Sequence, residues 1–93
     1  MNLIFEWDER KAKDNLRKHQ IGFAEAKTIF NDPFLVTFLD KNHLDDERRF
    51  INVGLSVHGR LLIAIHTERE KVIRIISSRK ATNTERRYYE ESI

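Results

Sequence analysis

Ninety-three residues suffice for one domain with one core, and the absence of cysteine excludes disulfides, thiolate metal sites and a cysteine nucleophile. The formal charge of +2 says little alone, but it is unevenly spread: residues 1–47 carry 7 basic and 10 acidic side chains, residues 48–93 carry 10 and 5. The basic half holds eight arginines, a residue type that grips phosphate in two-pronged fashion and stacks on bases, so the composition points to an anionic partner as readily as to a solvated basic surface.

The opening stretch "MNLIFEWDERK" reaches acidic residues too soon for a secretory signal or a membrane span. The expectation is a cytoplasmic protein with no membrane contact. "NLIFEW" reads as a short strand, and Asp8 is a good N-cap for the helical run "ERKAKDNLRKH". In that helix Ala12 and Leu16 are the apolar anchors, while Lys11, Asn15, Lys18 and His19 share another stripe. "IGF" breaks the helix. Phe23, Ala26 and Phe30 then mark a second, short amphipathic helix, stopped by Asn31-Asp32-Pro33.

The remainder reads as a meander. "FLVTFL", "RRFINVGLS", "RLLIAIHTE" and "VIRIISS" are short β-branched or aliphatic runs, divided by "DKNHLDDE", by a tight turn at His58-Gly59 and by "REK". Such spacing favours antiparallel hairpins. Thr82-Asn83-Thr84-Glu85 has capping-box spacing and opens a last helix bearing Tyr88 and Tyr89. The fold class is therefore α+β, one domain over residues 1–93: a twisted antiparallel sheet of about four to five strands, two N-terminal helices and one C-terminal helix, with one sheet face covered and the other partly open. Within "RIISSR", strict alternation sends Arg74 and Arg79 to opposite faces.

Three segments, "FEWDERKAKDNLRKHQIGFAEAKTIFNDP", "DDERRFINVGLSVHGRLLIAIHTE" and "IRIISSRKATNTERRYYE", together resemble the BrnT family of toxins of type II toxin-antitoxin systems, from Phe5 to about Tyr89. The resemblance implies a RelE-like fold, a ribonuclease that blocks translation and growth, and neutralisation by a BrnA antitoxin with a ribbon-helix-helix domain. It further implies a heterotetramer of two toxins and two antitoxins, in which operator DNA is contacted only through the antitoxin. Lys11, Asn15, Lys18 and His19 match "K-x-x-x-N-x-x-K-H", Glu47 and Arg48 match "E-R", Arg60 follows the hairpin glycine, and Arg74, Ser77, Arg79 and Ala81 match "R-I-I-S-x-R-x-A". Gln20 departs from the glycine expected after the histidine.

A ribonuclease without metal or other cofactor must deprotonate a 2′-OH, stabilise a crowded phosphate and protonate the leaving oxygen. Within the matched residues, Glu47 suits a general base, His19 a base or an acid, Arg60 and Arg79 a phosphate clamp at strand ends, and Arg74 a further phosphate contact. Lys11 and Lys18 suit the RNA backbone. Each has a structural reading beside it. Glu47 with Arg48 and Arg49 makes an edge ion pair, His19 answers a helix dipole, Arg79 pairs with Glu85 or holds a loop carbonyl, and Arg74 pairs with an acidic helix residue. The other class of function is a binding module whose basic sheet holds nucleic acid or an acidic partner segment without cutting. A DNA-binding regulator is weaker, since no recognition helix is evident. His43, His58 and His66 show no metal-ligand spacing.

Overall fold

The computed structural model describes residues 3–41 and 48–93. A strand β1 (Ile4–Glu6) leads into helix α1 (Glu9–His19) and the one-turn α2 (Phe23–Ala26), which tightens into a 3-10 turn, Lys27–Asn31. Strands β2 (Val36–Leu39), β3 (Arg49–Leu55), β4 (Leu61–Arg69) and β5 (Val72–Lys80) follow, and α3 (Asn83–Glu91) closes the chain. The sheet order is β1-β5-β4-β3-β2. Four strands form the expected antiparallel meander. β1, however, pairs parallel to β5, because α1 and the meander carry the chain across the sheet before β5 returns beside the start.

Local signals account for the helices. Asp8 accepts hydrogen bonds from the backbone N–H groups of Arg10 (2.8 Å) and Lys11 (3.3 Å), Glu9 occupies the first turn, and Arg17, Lys18 and His19 occupy the last, each complementing the dipole. Gln20 ends α1 in the left-handed region at φ 58°; a glycine takes that position at least cost. At α3, Thr82 and Glu85 form a reciprocal capping box.

The register assigns two sheet faces. On one, Leu62 and Ala64 pack against Ile21, Ala26 and Ile29, while Ile73 and Ile75 pack with Phe23, Phe5, Trp7 and Ala12. α1, α2 and the 3-10 turn cover this face. On the other, Val53, Leu61 and Ile63 pack against Tyr89 of α3, with Phe38, Ile51 and Ile65 partly buried around them. α3 covers only one end of that face. Asp32 ties the two layers together: its carboxylate accepts from Tyr89 Oη (2.6 Å) and from the backbone N–H groups of Leu55 (2.8 Å) and Phe34 (2.9 Å).

Strict alternation fails in β5. Ile65 pairs with Ser77 but its neighbour His66 pairs with Ile75, so Ile76 is an extra residue and β5 carries a bulge. Arg74, opposite Thr67, and Arg79, opposite Ile63, consequently share the α3-side face. The expectation of opposite faces is corrected by that one inserted residue. A second correction concerns α1. Leu16, expected as an anchor, is 53% exposed, and Asn15 is the residue that buries. Its carboxamide accepts from Ser78 N–H (3.0 Å) and donates to Ser78 O (2.9 Å) and Ile21 O (2.9 Å). Beyond the reach of β1, the carboxamide stands in for a neighbouring strand.

His66, on the helix-covered face, is buried between Phe50, stacked at 5.0 Å, and Phe30, edge-on at 5.4 Å. Asn52 donates to its Nδ1 (2.7 Å), which leaves Nε2–H to donate to Glu68 (3.0 Å). Burial pulls His66 below its ordinary value of 6.5, and Glu68 only partly opposes this.

Two outcomes are expected. Asn15→Ala leaves the buried Ser78 N–H without its partner and costs about 2–3 kcal/mol in a denaturant titration. Because the folded His66 binds its proton less readily than the unfolded one, stability declines as pH falls below about 6.5. Thermal midpoints between neutral and mildly acidic pH should show this decline, and it should shrink in His66→Gln.

Candidate functional site: an arginine-bearing sheet face

The open face is built by register. Arg49 on β3 lies opposite Thr67 on β4, Thr67 opposite Arg74 on β5, and Arg74 opposite Glu6 on β1. These four residues form one row across four strands. A second row, Phe38, Ile51, Ile65 and Ser77, and a third, Val36, Val53, Ile63 and Arg79, lie closer to α3. Polar and cationic groups therefore occupy the end of the face away from α3. An apolar groove of about 260 Å³, lined by Phe38, Ile51, Val53, Ile63, Thr84, Glu85 and Tyr88, runs beside α3.

Arg74 and Arg79 are both held by carboxylates. Arg74 donates to Glu6 at 2.6 Å, with both side chains about half exposed. Arg79 makes a two-pronged pair with Glu85, both contacts at 2.8 Å, and donates to Lys80 O at 3.2 Å. The guanidinium pulls Glu85 down to about 2, helped by the Thr82 N–H, so the pair stays charged at any physiological pH. Of the structural readings of Arg79 the Glu85 pair is realised, its carbonyl partner being the strand-end Lys80 and not a loop residue, while Arg74 finds its acid on a strand and not on a helix.

Arg60 lies elsewhere. It extends from the β3–β4 hairpin to the helix layer, where it bonds both carboxylate oxygens of Glu25 on α2 (Nε to Oε2, 2.9 Å) and Gln20 O (3.4 Å). Ser56 Oγ donates to the same carboxylate at 2.7 Å. These contacts hold Glu25, whose side chain is only 9% exposed, below the usual carboxylate range, the Arg60 hydrogen bonds leading. The structure thus does not bring Arg60 and Arg79 together; they lie on opposite sides of the sheet. Lys11, Lys18 and His19 ride on α1, which Asn15 fastens to β5 at Ser78; both lysines are exposed and His19 is half buried. Glu47, like His43, lies outside the described residues. Among the described residues, no three His, Asp or Glu side chains converge as metal ligands would.

Sequence reasoning passed over Thr67 and Glu6 and considered Arg49 only as an ion-pair partner of Glu47. Their only signal is alternation within each run. The row appears only once β1 is known to pair with β5 and β5 to carry a bulge.

The sheet thus carries α1 and α2 on one face and arginines on the other, α3-side face, an arrangement that offers fixed cations to an anionic partner. Residues 7–85 match the family model described as the ribonuclease toxin, BrnT, of type II toxin-antitoxin systems. The chain is thus a toxin component of such a system. It belongs to the BrnT family. The 1.1 Å crystal structure of the Brucella abortus ribonuclease toxin BrnT shares the fold, with a TM-score of 0.64 at 20% identity over 88% of this chain and 100% of that one. No curated protein is a significant sequence match.

If Arg60 is a clasp between the hairpin and α2, Arg60→Ala lowers the thermal midpoint by several degrees by leaving Glu25 unpaired, and Glu25→Gln combined with Arg60→Ala recovers part of the loss. Thermal unfolding of the single and double variants checks this.

Proposed function

We propose that the chain is an endoribonuclease that needs no metal, cuts single-stranded RNA laid across the α3-side sheet face, and thereby inhibits translation and growth until an antitoxin of the BrnA type covers it. The observation that carries this reading is the alignment of Arg49, Arg74 and Arg79 on one face, in a chain whose family is described as ribonuclease toxins. A phosphodiester in flight toward its cyclic product gains negative charge, and fixed guanidiniums stabilise that charge best when their positions are set beforehand. Glu85 sets Arg79 here, in a two-pronged pair.

In this reading Arg79 and Arg74 contact phosphates. Lys11 and Lys18 hold the flanking backbone from α1, and His19 at the end of that helix is the candidate proton carrier. Glu47, which directly precedes Arg48 and Arg49 in sequence, is the candidate base. Arg60 supports the scaffold from the other layer. The antitoxin partnership follows from the family; the reading adds two toxins and two antitoxins per complex, operator contact by the antitoxin alone, and action in the cytoplasm. No helix among the described residues is long and apolar enough to cross a membrane.

The test is induction of this chain alone in a bacterium, beside a variant carrying Arg74→Gln and Arg79→Gln, with growth followed and RNA ends mapped. Wild type should arrest growth and generate new RNA ends. The folded variant should cut at least about 100-fold more slowly, the scale of losing one fixed charge-stabilising donor. A folded wild type that leaves RNA intact would sink the ribonuclease reading and leave a binding module.

A further inference from the structure

The polar end of the open face contains a pocket, around Arg74, that the reading above does not use. Glu6, Thr67, Arg69, Val72 and Arg74 line a pocket of about 160 Å³. Small-molecule sites run to about 300–1,000 Å³, so this volume suits one compact group and not a whole ligand. Three strands build it. Thr67 is 5% exposed and forms part of the floor, Arg74 and Glu6 form one wall in register, and Arg69 stands opposite Val72 at the mouth.

The mouth is shaped by a strained turn. Between Arg69 and Val72, Glu70 and Lys71 both adopt the left-handed region, at φ 51° and 73°. Two successive positive φ values give the twist that keeps a two-residue hairpin tight, and the sequences that adopt it easily are Asn-Gly or Asp-Gly. Here two long charged residues hold it, and the turn closes directly on the Arg69–Val72 pair, which sets Arg69 on the same face as Arg74.

Charge fixes the class of occupant. Arg69 and Arg74 line the pocket, Arg49 ends the same row, and among the described residues that line it Glu6 is the one carboxylate. The Glu6–Arg74 pair is exposed on both sides, and an exposed pair of this kind exchanges readily for another anion. A phosphodiester presents two acceptor oxygens of the geometry a guanidinium matches. Distance makes the site a separate one. Across the bulge, Arg74 lies opposite Thr67 and Arg79 opposite Ile63, four residues apart on β4 and about 13 Å along it, and the two guanidiniums are turned to different carboxylates, Glu6 and Glu85, so each addresses its own phosphate.

We propose that this pocket is a second phosphate subsite on the RNA path: Arg69 and Arg74 hold a backbone phosphodiester at least one nucleotide away from the phosphate at Arg79, the Thr67 hydroxyl donates to it, and Glu6 is the counter-ion it displaces. The proposal rests on the RNA-binding reading of this face and adds the length of chain that the face requires.

The experiment measures binding of a short, uncleavable 2′-O-methylated oligoribonucleotide across a salt series, with RNA cutting assayed in parallel. Arg69→Gln with Arg74→Gln should weaken binding at least tenfold and reduce the salt slope by about 0.7, the contribution of one phosphate on a single strand. Val72→Trp, which alters no charge but fills the mouth, should weaken binding similarly and guards against misfolding of the double variant. Glu6→Gln should tighten binding, and Lys27→Ala on the helix layer should change nothing. If the wild type cuts RNA while the folded pocket variants bind and cut as it does, the subsite is wrong and the ribonuclease reading stands. Pocket-dependent binding by a wild type that cuts nothing would support the subsite and reject the ribonuclease reading.

Discussion

The arrangement of this molecule turns on one extra residue in β5. Before Ile76, Ile73 and Ile75 face the helix layer and Arg74 faces out; after it, Ser78 faces the helix layer and Arg79 faces out. A regular strand would send Arg79 into the apolar layer beneath α1, where an unpaired guanidinium is costly to bury. The bulge alone would leave Ser78 with peptide groups facing an edge that β1 is too short to satisfy. Asn15 fills that gap, presenting an acceptor and a donor at the spacing a neighbouring strand would offer. The same side chain binds Ile21 O and so fixes the turn out of α1. One carboxamide therefore couples the helix that carries Lys11, Lys18 and His19 to the strand that carries Arg74 and Arg79.

The helices and the meander were legible because they rest on local rules. Asp8, the Thr82–Glu85 capping box and the His58-Gly59 turn are signals read within a few residues. Non-local pairing was not legible. Nothing in "NLIFEW" distinguishes a strand parallel to β5 from an antiparallel neighbour, and nothing in "RIISSR" marks Ile76 as the residue without an opposite number. The reading of α1 failed in an instructive way: hydropathy selects Leu16 as the anchor, but the position facing β5 needs a group that satisfies a peptide edge, and leucine does not. Asn15 stood out through the polar stripe of α1 and its place in the family motif, and the structure gives that place a scaffold reason.

The candidate site was partly legible for the same reason. Arginine content located the cationic half, yet which arginines share a face is a question of register, not of composition. Arg60 follows the hairpin glycine, as the motif has it, but from the hairpin, one residue before β4, it turns to the helix layer and to Glu25. Arg49 and Glu6, which carry no motif of their own in the sequence, enter the row with Arg74 through pairing alone.

Every one of Arg60, Arg74 and Arg79 has a carboxylate partner, yet solvent makes these pairs behave differently. The Glu25 side chain is almost enclosed and also bonded by Ser56, so taking Arg60 away would strand a charge in a place where water does not replace the lost contacts. Arg74 and Glu6 are both open to water, where an ion pair is worth about 0–1 kcal/mol and a competing anion displaces it at small cost. Arg79 is intermediate, because Glu85 is also committed to capping α3. Breaking that pair would loosen the helix that walls the apolar groove. In the proposed reading the contrast along the face is that Arg74 trades its partner for a phosphate while Arg79 keeps its partner and offers only its remaining donors; Arg60, on the other side of the sheet, holds the fold. On that reading, a face organised in this way grips an RNA backbone at its polar end while its α3 end keeps its shape.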